Sequence, residues 1–178
     1  MAAFADAGLP MIFVELPFLV VALVPVVLLE ALVFRFGLPV SFPRALGGSL
    51  VGNLCSTFLG VPMTWLALVF AQLCVGGGGV WGLQTPLRRV AAVTVQAPWL
   101  IPYEGEFYWM VPAASLFLML PFFLVSVVTE RNVLSQCWPA VDGRRLTRSV
   151  WLANLLSYGA LAAYWASQLA LAEPKSIA

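Results

Sequence analysis

The residues able to do chemistry in this chain are few, and they fall in a repeated order. Glu30, Val33, Arg44, Asn53, Leu54 and Ser56 are matched by Glu130, Val133, Arg145, Asn154, Leu155 and Ser157. Both sets read E-x-x-V, a spacer of ten or eleven residues, then R-x8-N-L-x-S. In apolar surroundings a carboxylate seeks a cation, an amide or a hydroxyl in place of water. Each set holds all three, so two roles follow. In the first, each Glu–Arg–Asn–Ser set ties helices together: Arg35, Arg44 or Asn53 satisfies Glu30, and Arg131, Arg145 or Asn154 satisfies Glu130. In the second, Glu30 and Glu130 line a shared site for an ion, a proton or a lipid headgroup. Glu, Arg, Asn and Ser are scarce in so apolar a chain, and their recurrence in order reads as an internal duplication.

Other chemistries find little support. The chain has no His, which removes the commonest general base and metal ligand. Cys55, Cys74 and Cys137 lie far apart, outside any C-x-x-C spacing, so no zinc or iron–sulfur site is expected. Gly76 to Gly79 lacks the Lys and Ser/Thr of a phosphate-binding loop and reads as a helix break. The expectation is therefore a protein that is not an enzyme and has no cofactor beyond bound lipids. A net charge of +1 with no basic run argues against nucleic acid as a partner.

The elements that position these residues must be membrane helices. The chain is 62% hydrophobic and 10% charged, with a mean hydropathy of +0.96. Soluble domains carry about 25% charged residues. Four spans are expected, near 11–34, 45–75, 107–129 and 146–172, each long enough for the ~20 apolar residues a bilayer helix needs. Pro25 should kink the first and Pro62 should bend the second. In each set the Glu is expected to close the outgoing helix and the Arg to open the returning one. The predicted fold is thus an all-α integral membrane protein whose four transmembrane helices form two parallel-repeat hairpins. Residues 1–75 make the first hairpin and 107–178 the second. Between them, 76–106 is rich in Gly, Pro and aromatics, including Trp81, Trp99 and Tyr103, and is expected to lie at the membrane surface.

Small residues four apart let helix backbones approach closely. Gly52, Ser56 and Gly60 form one such strip, Ala153 and Ser157 another, and Gly159, Ala163 and Ser167 a third. Orientation follows from the arginines. Arg35, Arg44, Arg131, Arg144, Arg145 and Arg148 flank the two short connections, against Arg88, Arg89 and Lys175 on the other side. The first group should be cytoplasmic, leaving both termini outside. The Arg-over-Lys and Ala/Val-rich composition points to a bacterial cytoplasmic membrane. The expected partners are the lipid bilayer and other membrane subunits. The leading expectation is a non-catalytic subunit packed within a larger membrane complex. The alternative is a small oligomeric transporter or channel with Glu30 and Glu130 as intramembrane ion or proton sites.

Overall fold

Four long helices carry the structure, a computed structural model that describes residues 11–75, 84–85, 87–88, 94 and 107–172. They are α1 (Met11–Gly37), α2 (Phe42–Val75), α3 (Phe107–Cys137) and α4 (Gly143–Ala172). Three contain stretches long and apolar enough to cross a membrane: Pro17–Gly37, Phe42–Thr64 and Tyr108–Cys137. The protein is thus a helical membrane protein. Helix α4 carries Arg144, Arg145, Arg148, Asn154 and Gln168, and its apolar content is correspondingly lower. Most of 76–106, including Trp81, Trp99 and Tyr103, lies outside the described residues.

The helix ends differ from expectation in an informative way. Glu30 and Glu130 do not close their helices: α1 runs on to Gly37 and α3 to Cys137. A helix needs no apolar side chains to continue, only its backbone bonds, and here the stop is Pro39 or Pro139 just beyond. At the other end of the connection, α2 takes Pro43 and Arg44 into its first turn, where a missing N–H costs nothing. Asp142 caps α4: its Oδ2 accepts the Arg145 amide at 2.9 Å, and its carbonyl accepts Leu146 N at 2.9 Å. Asp142→Ala should cost about 1 kcal/mol. Faster amide hydrogen exchange confined to residues 143–146 would register it.

Contacts gather the described residues into two compact units. One comprises Pro17–Pro62 and Pro121–Leu161, and the other the remaining described residues. In the first, segments of all four helices pack around Ala31, Phe34, Ala45, Val127, Leu134, Leu146, Val150 and Ala153. The connections close one end of this core. Leu38, Val40 and Trp138 turn inward, and Trp138 meets Phe34 edge-on with ring centroids 5.6 Å apart. Gly48 lies directly under the Trp138 indole, which occupies the space a Cβ would need. The outer faces are apolar and exposed, with Val20, Val24, Phe58 and Val128 among them, as suits lipid. In the other unit, Met110, Ala113, Ala114 and Leu118 are buried along α3.

The small-residue strips divide. Gly52 and Gly60 are buried against α3. A Cβ on Gly52 would sit 3.2 Å from Glu130 Cγ, and one on Gly60 would sit 3.4 Å from Phe122. Ala153 is completely buried. The third strip is not packed as expected: Gly159, Ala163 and Ser167 are exposed, and nothing lies within 4 Å of a Cβ at Gly159. Spacing alone marks a flat face, but it does not say which helix covers it.

Candidate functional site

Six polar residues of the two matched sets converge within the unit formed by Pro17–Pro62 and Pro121–Leu161. Glu30 on α1 is fully buried, and Glu130 on α3 is 1% exposed. Asn53 and Ser56 on α2 and Asn154 and Ser157 on α4 are buried with them. Helical spacing explains the grouping. Ser follows Asn by three residues in both helices, so the two side chains share a face.

Each carboxylate is held by an amide from one helix and a hydroxyl from another. Asn53 Nδ2 donates to Glu30 Oε2, while Ser157 Oγ donates to Glu30 Oε1 at 2.8 Å. Asn154 Nδ2 donates to Glu130 Oε2 at 2.8 Å, and Ser56 Oγ to Glu130 Oε1 at 3.4 Å. The serines also close the circuit backwards. Ser56 Oγ lies 3.1 Å from the Asn53 carbonyl, and Ser157 Oγ lies 3.3 Å from that of Asn154. The result is a ring: Glu30, Asn53, Ser56, Glu130, Asn154, Ser157 and back to Glu30. Each serine has one hydrogen and two acceptors within reach, its own helix carbonyl and a carboxylate.

Arg44 and Arg145 are not part of this ring. Both are exposed, as are Arg35 and Arg131. Arg44 lines a groove of about 600 Å³ with Gly47, Gly48, Val51 and Trp138, and the Arg145 backbone belongs to the Asp142 cap. The expected Glu–Arg pairing therefore gives way to Glu–Asn–Ser. An Arg at the start of α2 or α4 lies about two and a half turns from Asn53 or Asn154, on the order of 13 Å along the helix, and its charge is best left in water. Among the described residues every hydrogen-bond partner of the two carboxylates is neutral.

One further residue joins the site without being apparent from the matched sets. Ser49 Oγ donates to Glu30 Oε2 at 3.3 Å, and its carbonyl accepts Asn53 Nδ2 at 3.0 Å. The signal was its place four residues before Asn53, one turn away on the same face. The matching position in α4 is Val150, so a search for repeated polar residues passes over it. Nearby, Ser126 and Tyr158 share a hydrogen bond of 2.8 Å. Asn154 Oδ1 is buried and has no hydrogen-bond partner among the described residues.

No family model, curated protein or solved structure matches this sequence.

Proposed function

We propose that the protein is a small membrane transporter or channel subunit in which Glu30 and Glu130 form an intramembrane site for a proton or small cation. The observation that carries this reading is the pair of serines between the carboxylates. If Glu130 is charged, Ser56 donates to it. If Glu130 is neutralised by a proton, the new O–H donates to Ser56, whose hydrogen turns to the Asn53 carbonyl 3.1 Å away. Ser157 offers Glu30 the same exchange through the Asn154 carbonyl. Each carboxylate and its serine thus stay partnered in both states, as a group that loads and unloads requires. A purely structural carboxylate would gain more from a permanent cation, and neither glutamate has one among the described residues. Ionisable groups inside a membrane are expensive, and ion or proton pathways are where they are usually kept.

Within this reading the chain is two parallel-repeat hairpins, α1–α2 and α3–α4, with α4 as the fourth span. The reciprocal Ser157–Glu30 and Ser56–Glu130 bonds support a pseudo-two-fold relation, with its axis along the membrane normal. The connections around Pro39 and Asp142 lie on the cytoplasmic side of a bacterial membrane, with both termini outside, from the six arginines that flank them. In a background with Cys55, Cys74 and Cys137 replaced, Asp142→Cys should resist an impermeant thiol reagent added outside intact cells. Strong labelling there would reverse the orientation.

A second reading, a non-catalytic subunit of a larger membrane assembly, has one observation in its favour. The same bonds join α1 to α4 and α2 to α3, so the ring also holds four helices together. Flux separates the two. In proteoliposomes the parent should carry a proton or alkali-cation current, and a Glu30→Gln/Glu130→Gln double variant should not. A parent without flux that purifies with fixed partner proteins would favour the subunit reading.

A further inference from the structure

The two carboxylates are not equally served. Glu30 receives donors from Asn53, Ser49 and Ser157. Among the described residues Glu130 receives them from Asn154 and Ser56 alone, the latter at 3.4 Å. The difference traces to one position, because Val150 stands in α4 where α2 has Ser49. Beside Glu130 sits the unpartnered oxygen of Asn154. Turning the amide does not cure it. Nδ2 already serves Glu130 Oε2 and the Val150 carbonyl at 3.1 Å, and the reversed amide would set an oxygen against both acceptors. A buried acceptor left unmatched calls for an explanation such as an ion.

The two Glu130 carboxylate oxygens, Asn154 Oδ1, and Ser56 Oγ once that hydroxyl donates to the Asn53 carbonyl, thus have no positively charged partner among the described residues. We infer that a hard monovalent cation of sodium class binds at Glu130, on the carboxylate, Asn154 Oδ1 and Ser56 Oγ, while Glu30 is held by its own donors. An all-oxygen set without sulfur or imidazole suits hard cations. A single positive charge matches the single carboxylate that is short of donors. This inference rests on the transport reading and names its ligand and its side.

The test is equilibrium binding of radioactive sodium to the purified full chain, with proton flux measured in proteoliposomes from the same preparation. The parent should bind sodium saturably. Glu130→Gln should abolish binding, whereas Glu30→Gln should retain it, weakened less than about tenfold, since its donors lie off the cation. Val150→Thr places a hydroxyl where Glu130 lacks a donor and should weaken binding about tenfold or more. Val150→Ala removes methyl groups without adding a donor and should keep the parent's affinity. If Val150→Thr does not fold, the two Glu→Gln variants decide. Binding lost in Glu30→Gln but kept in Glu130→Gln would overturn the assignment, as would a folded Val150→Thr with unchanged affinity. A parent that moves protons but binds no sodium would overturn the sodium site and leave the transport reading standing. A parent with neither binding nor flux would reject both.

Discussion

Gly48→Ala should destabilise the protein by on the order of 1–3 kcal/mol, while Gly47→Ala should stabilise it by up to about 1 kcal/mol. The two glycines are neighbours in α2, and propensity alone predicts the same gain from both. Packing separates them. A Cβ on Gly47 meets nothing within 4 Å, so only the helix-forming benefit is felt. A Cβ on Gly48 falls on the Trp138 indole and 3.1 Å from Leu134 Cδ2. Trp138 cannot easily retreat, because it is buried against the core and edge-on to Phe34. Interiors packed to crystal-like density transmit such an overlap to the backbone. Thermal unfolding followed by circular dichroism in detergent should therefore move in opposite directions for the two variants. Equal shifts would mean that the indole does not occupy that place.

Asn53→Ala should cost about 1.5–3 kcal/mol, the range for a hydrogen bond to a charged group. The amide serves the Glu30 carboxylate, the Ser49 carbonyl at 3.0 Å and Ser49 Oγ at 3.4 Å. Its loss leaves Glu30 with hydroxyl donors only. Asn154→Ala should cost less in sodium-free buffer, because it removes both the donor to Glu130 and the oxygen that has no partner. In sodium the order should narrow or reverse, since that oxygen is then a ligand. Coupling checks the assignment: in a Glu30→Gln background the cost of Asn53→Ala should fall, as contacting residues are not additive. Identical costs in both backgrounds would place Asn53 outside the network.

Much of this was legible in the residues. Composition and span lengths were enough for an all-helical membrane protein, because few charged residues and long apolar runs leave no other stable solution. The recurrence of Glu, Asn and Ser at matched spacing marked six of the residues that meet around the buried carboxylates. What spacing could not supply was partner choice across helices. Arg44 and Arg145 were natural partners by charge, yet both lie near helix starts where water is accessible. The serines that complete each carboxylate come from a different helix pair, at separations of 74 and 127 residues, and no local pattern encodes such pairing. Ser49 was hidden because its counterpart is Val150. That one difference between Ser49 and Val150 is also what distinguishes Glu130 from Glu30. The Gly159 strip failed for a related reason, since a flat face is a property of one helix and contact is a property of two.

The buried carboxylates are proposed to form a working cation site and not a pair of struts. The most direct measurement is the thermal midpoint of the parent and of the Glu30→Gln/Glu130→Gln variant as sodium is raised. A ligand that binds only the folded state stabilises it, by about 2.7 kcal/mol at a hundred times its dissociation constant. The variant should fold, because each new amide can accept from Asn53 or Asn154 and donate to Ser157 or Ser56, whose hydrogens have carbonyls to receive them. The predicted result is a parent midpoint that climbs with sodium, and a variant midpoint that is flat and no lower than the sodium-free parent. A parent indifferent to sodium, with a variant that melts far below it, would rule out the cation site and make the ring a structural one.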